Sequence, residues 1–142
     1  MRSFDDIAAD FEFLEDWEDR YRYIIELGKE LPLLAEDEHE EKYRVHGCVS
    51  QVWLKVSAEG AGPDAVLHFR ADSDALIVRG LVAILLSMVE GKTAREVAEM
   101  NIEERLQALG LQEHLTQQRA NGLRSMIQRI HEEARKVMEG TD

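Results

Sequence analysis

A chain of 142 residues, 44% hydrophobic and 32% charged, carries enough apolar side chain for one sizeable core and is expected to form a single domain over residues 1–142. Its net charge of −12 at pH 7 argues against nucleic acid as a partner, because polyphosphate is repelled, and no run reaches the roughly 20 apolar residues of a membrane-spanning helix. The single cysteine closes no internal disulfide and excludes a multi-cysteine metal site within one chain; with no apolar signal core in residues 1–10, a reducing, cytoplasmic location is expected.

Residues 1–41 hold 15 acidic side chains against 4 basic ones, so nearly all the excess charge lies on the first segment. In that segment Ser3 with Asp6 opens a helix whose apolar stripe is Ile7, Phe11 and Leu14. Asp16 with Asp19 opens a second, carrying Trp17, Tyr21, Ile24, Ile25 and Leu27 up to a stop near Leu31 and Pro32. The acidic side chains then fall on outer, solvated faces, the alternative being a docking patch for a basic partner. Residues 32–41 read as a polar loop.

From Tyr43 onward the period shortens to two. Val52, Leu54 and Val56 alternate with Trp53, Lys55 and Ser57, and Ala65, Leu67, Phe69 and Ala71 alternate with Val66, His68 and Arg70. Residues 59–64 form the turn of an antiparallel hairpin. Asp72, Ser73 or Asp74 can then cap a helix, Leu76–Val89, that is apolar nearly all round and must be covered on several sides. Thr93 with Glu96 and Asn101 with Glu104 open two short helices, and a last one spans 116–138 with Leu123, Met126, Ile127, Ile130, Ala134 and Val137 on one face. Helices, hairpin, helices in that order predict an α+β fold, a small antiparallel sheet packed on one face by helices.

Cys48 stands just before the first strand, after Val45, His46 and Gly47, and the glycine permits a tight turn that presents a thiol at a loop tip. Taken alone, a single cysteine is more often a small apolar packing residue than a nucleophile.

Four blocks decide between these. The run from Trp17 through Glu18, Asp19, Arg20 and Tyr21 to Leu27 and Gly28 resembles the second helix of the SufE and CsdE sulfur-acceptor proteins. Val45, Gly47, Cys48, Val49, Ser50, Gln51, Val52 and Trp53 resemble their active-cysteine motif; Asp72, Ser73, Asp74 and Ala75, then Ile77, Val78, Gly80 and Leu81, resemble the stretch after their hairpin. Leu115, Thr116, Arg119, Gly122, Leu123, Met126 and Ile127 resemble the start of their last helix. The blocks run in order over residues 17–130, with one departure: many members carry Pro where this chain has Gln117.

The resemblance implies a SufE/IscU-like fold and a sulfur carrier. Cys48 takes persulfide sulfur from a SufS-type cysteine desulfurase, stimulates that enzyme, and passes the sulfur to an iron–sulfur scaffold complex. The pyridoxal phosphate belongs to the desulfurase, and the chain needs no cofactor or metal of its own. It is then a carrier and activator with a covalent persulfide intermediate rather than a stand-alone enzyme, acting as a monomer or weak homodimer. Supporting roles fall to His46, Gly47, Ser50 and Arg119, and partner contacts to Gln51, Trp53, Asp72 and Asp74. An unperturbed thiol with a pKa of about 8.5 is mostly protonated at neutral pH, so transfer needs a source of thiolate; His46, Arg119 and Arg79 are candidates, with Arg79 better suited to a structural pair with Asp72 or Asp74. The loop is expected to pack the thiol against apolar neighbours until docking swings it out.

Three other readings compete. A cysteine hydrolase needs a base, and His46 is too near Cys48 in sequence to serve comfortably. An iron–sulfur scaffold needs several cysteine ligands. The strongest rival is a non-catalytic, acidic interaction module in which Cys48 only packs.

Overall fold

Helices begin where short polar side chains can take up free backbone donors. In the computed structural model, which describes residues 2–48 and 50–140, α1 (Phe4–Phe13) starts with Ser3 Oγ accepting the Asp6 N–H at 3.1 Å. In α2 (Trp17–Lys29) the Asp16 carboxylate accepts the Glu18 N–H at 3.3 Å. Ile7, Phe11, Ile24 and Leu27 are buried, while Asp5, Asp6, Glu18 and Asp19 stay exposed in first turns, where the helix dipole favours negative charge. Val49, part of the cysteine block, lies outside the described residues.

The stretch 32–41, expected to be plain loop, contains a single-turn 3-10 helix, Glu36–Glu38, and a second, Glu41–Tyr43, begins at its end. Tertiary contacts hold the first. The Glu38 carboxylate accepts from both Arg70 Nη atoms and from Lys55 Nζ (2.6 Å) on the outer face of the hairpin, and from the Ala35 N–H at 2.9 Å. Led by Arg70, these donors pull the Glu38 carboxyl down to about 2.

Strands β1 (Val52–Glu59) and β2 (Val66–Ser73) pair antiparallel, Val52 opposite Ser73 and Glu59 opposite Val66. Val52, Leu54, Leu67, Phe69 and Ala71 face the core. Against them lies α3 (Leu76–Val89), with ten of its fourteen residues buried because α1, α2 and later helices enclose it. The expected side-chain cap of α3 is a correction: its cap residue is Ala75, which offers no side-chain bond. The three candidates are engaged elsewhere. Asp72 accepts the Ser73 N–H and faces Arg79 and His39, Ser73 Oγ accepts the Ala75 N–H, and Asp74 accepts from Gln51.

Helices α4 (Ala94–Glu99) and α5 (Ile102–Ala108) begin at Thr93 and Asn101. The long α6 (Gln117–Glu139) begins at Thr116, whose Oγ1 accepts the Arg119 N–H at 3.2 Å. In its first turn Gln117 Nε2 donates to Asn121 Oδ1 at 3.0 Å, one turn along. The result is the expected α+β arrangement: a two-stranded antiparallel sheet with helices on its inner face.

Helices α2 and α3 meet at Gly80, where a Cβ would overlap the Ile24 carbonyl oxygen, a backbone atom with no room to yield. Gly80→Ala is therefore expected to cost about 1–3 kcal/mol, read as a lower midpoint in chemical denaturation with an unchanged slope.

Candidate functional site

The cysteine loop is closed at both ends by backbone hydrogen bonds. On the entering side the Val45 N–H donates to the Val52 carbonyl at 2.8 Å, and Arg44 bridges Trp53. On the leaving side the Gln51 N–H donates to Asp74 Oδ1 at 3.0 Å while the Asp74 N–H returns to the Gln51 carbonyl at 3.3 Å. Between these clasps lie residues 46–50. Gly47 has φ +93°, a conformation L side chains rarely adopt, and a Cβ there would overlap Ser125 Oγ on α6. The loop thus rests directly on that helix.

Cys48 Sγ points inward and donates to the Gly122 carbonyl of α6 at 3.6 Å. Gly122 leaves the helix bare under the thiol, since any side chain would begin 3.4 Å from the sulfur. Beside the thiol is a cavity of about 250 Å³. Its apolar walls come from Val52 of β1, from Val78, Leu81 and Val82 of α3, and from Leu123 and Met126 of α6; Ser50, Thr116, Gln118 and Arg119 line its polar part. Burial pushes the Cys48 thiol above its ordinary pKa, opposed by the positive charge of Arg44. A protonated, half-buried thiol bonded to a carbonyl is a resting state rather than an exposed nucleophile.

The residues expected around the thiol divide into two groups. Gly47, Ser50 and Arg119 gather at the loop and its cavity. His46 turns outward and pairs with Glu41 at 2.9 Å, both side chains more than 70% exposed. Trp53 does not stand beside the thiol. It follows Val52, which lines the cavity, and strand alternation sends it to the opposite face, where its ring meets His39 edge-on at 4.5 Å. Asp72 is buried under the hairpin, bonded to His39 Nε2 at 2.7 Å and paired with Arg79 Nε at 3.1 Å; Arg79 also donates to the Ser73 carbonyl, the structural role anticipated for it. Gln51 and Asp74 form the leaving clasp. Among the described residues no group of three His, Cys, Asp or Glu side chains is placed to hold a metal ion, and no helix is long and apolar enough to cross a membrane.

One residue shaping the site gave no signal in the sequence. Arg129, two turns beyond Gly122 on α6, donates to the Arg44 carbonyl at 2.9 Å and the Lys42 carbonyl at 2.7 Å, while Glu133 accepts from its Nε at 2.9 Å. Those bonds cross 85 and 87 positions of chain, and an arginine on the polar side of an amphipathic helix looks like a solvated one. Arg129→Met leaves the stem carbonyls unheld. Alkylation of Cys48 by iodoacetamide under native conditions is then expected to rise at least about fivefold with unchanged far-UV circular dichroism, and an unaltered rate counts against the clamp.

A family model described as SufE, an Fe-S metabolism associated domain, matches residues 5–134. An uncharacterized SufE-like protein of Rhizobium etli is 53% identical over 135 residues, covering 95% of this chain and 91% of that protein. A second, from Rhizobium meliloti, is 53% identical over 134 residues, covering 94% and 96%. The solution structure of a hypothetical protein from Thermus thermophilus aligns with a TM-score of 0.75 at 22% identity over 96% of both chains, a likeness of fold.

Proposed function

The chain belongs to the SufE family, and from that premise we propose that it accepts sulfur on Cys48 from the persulfide of a pyridoxal-phosphate cysteine desulfurase and hands it on for iron–sulfur cluster assembly. The observation that carries this reading is the seat of the cysteine: a loop clasped at both ends holds the thiol against a cavity with room for an added sulfur.

The chemistry is thiol exchange. Once the loop swings away from Gly122, the Cys48 thiolate attacks the outer sulfur of the donor persulfide. A new S–S bond forms at Cys48, the donor's S–S bond breaks, and the donor cysteine leaves as thiolate. The outer sulfur keeps its oxidation state, so no external oxidant or reductant takes part. When the loop returns, the extra sulfur enters a pocket walled by Val78, Leu81, Leu123 and Met126, away from water and other thiols. With one cysteine in the chain, no internal thiol can displace the cargo as a disulfide. Release falls to an acceptor such as a cluster scaffold, and stimulation of the desulfurase follows from clearing its persulfide. The cytoplasm suits this traffic.

Two features of the site serve that cycle. Burial and the Gly122 carbonyl favour the protonated thiol in the free protein, which keeps Cys48 quiet until a partner draws the loop out. The clasps at Val45 and Gln51 bracket the cysteine, so drawing the thiol out need not disturb the hairpin.

Incubation with a SufS-type desulfurase and cysteine is expected to add one sulfur atom to the intact mass, removable by a reductant. Cys48→Ser is expected to keep the fold and the binding of the desulfurase while gaining no sulfur. A wild-type mass that stays constant, or a serine variant that still gains sulfur, rejects the proposal.

A further inference from the structure

The cavity beside Cys48 is larger than one added sulfur requires. At about 250 Å³ it has room for several water molecules at about 30 Å³ each, whereas a single sulfur atom takes up a space comparable to one of them. It also reaches the surface, since Thr116 and Gln118, which line its polar end, are exposed. A small molecule can therefore approach the sulfur through that mouth while the loop stays on Gly122. Arg119 stands at the same end, half-buried, and among the described residues its guanidinium makes no ion pair or hydrogen bond. Its backbone N–H goes to Thr116 Oγ1. Among the described residues no carboxylate lines the cavity, and the acidic excess of residues 1–41 contributes no side chain to it.

We propose that this cavity is a second entrance for sulfur, taking it directly from a low-molecular-weight persulfide that bears a carboxylate. The inference rests on the sulfur-acceptor reading of Cys48. An R–S–SH donor matches the cavity part by part. Its short alkyl stem lies along Val78, Leu81 and Met126, its carboxylate meets the Arg119 guanidinium in a charge-assisted pair, and its terminal sulfur is directed at Cys48. The Cys48 thiolate attacks that terminal sulfur. An S–S bond forms at Cys48, the donor's S–S bond breaks, and the departing R–S⁻ takes up the proton that Cys48 gave up. Thiol and persulfide exchange one sulfur, with no oxidant or reductant consumed. The same walls favour a donor whose amine is acylated, because a free ammonium would find no carboxylate in the cavity. Arg119 thus selects the donor by charge, and the apolar walls select it by its stem.

The test follows sulfur gain by intact mass, with no desulfurase present, from two donors: the persulfide of N-acetylcysteine, which carries a carboxylate, and that of mercaptoethanol, which carries none. Wild type is expected to take one sulfur from each donor, and Cys48→Ser from neither. Arg119→Gln is expected to lower the ratio of the N-acetylcysteine rate to the mercaptoethanol rate about three- to tenfold, with far-UV circular dichroism unchanged. Arg119→Lys is expected to retain part of the preference, because the charge is kept. A merely structural Arg119 would alter both rates together. A ratio untouched by Arg119→Gln, or lost to the same extent in Arg119→Lys, overturns the inference. Sulfur gain from a desulfurase and cysteine is followed in parallel. Gain from the desulfurase but from neither small persulfide defeats the cavity entrance and leaves the acceptor reading standing, whereas gain from no source defeats both.

Discussion

The site depends on how closely a loop can approach a helix. Gly47 lies on Ser125 and the Cys48 sulfur lies over Gly122, so the thiol is seated on the backbone of α6 rather than on its side chains. That approach requires α6 to be fixed in rotation and along its axis. Thr116 fixes where it begins, and Leu123, Met126, Ile127, Ile130 and Ala134 turn one face into the core beside α3. Arg129, on the same helix, reaches back to hold the stem of the loop it supports. One helix thus supplies the floor of the thiol site, part of its cavity wall and the clamp on its approach.

A chemical consequence follows. A thiol taken partly out of water favours its neutral form, and a carbonyl acceptor reinforces that preference. A sulfur carrier benefits from such a resting state, because a free reactive thiolate would meet oxidants and stray thiols before it met its donor. The opposing influence is the positive charge of Arg44, which precedes the cysteine loop.

Much of this architecture is legible in the chain. Short polar residues mark the starts of α1, α2, α4, α5 and α6, because each supplies an acceptor for a free backbone N–H. Alternation draws the hairpin, and the apolar run of α3 requires enclosure. Local reasoning fails at α3's own start, where Asp72, Ser73 and Asp74 look like caps and instead hold Arg79, His39 and Gln51 in three dimensions. Alternation alone puts Trp53 opposite Val52, yet which face meets the thiol depends on the path of a loop that carries no periodicity. His46 is adjacent in sequence but not in role, since the turn at Gly47 sends it to Glu41. Arg129 and Arg44 are brought together by tertiary structure, and no spacing announces such a pair.

If Cys48 carries a persulfide, its seat on α6 protects the cargo. The direct measurement is the rate at which cyanide removes sulfur from protein charged by a desulfurase, compared between the folded chain and the chain unfolded in urea. Protection predicts removal at least about tenfold slower from the folded protein, in proportion to the rarity of loop opening. Equal rates in the two states, or no cyanide-labile sulfur on the charged protein, would rule out a sheltered persulfide on Cys48.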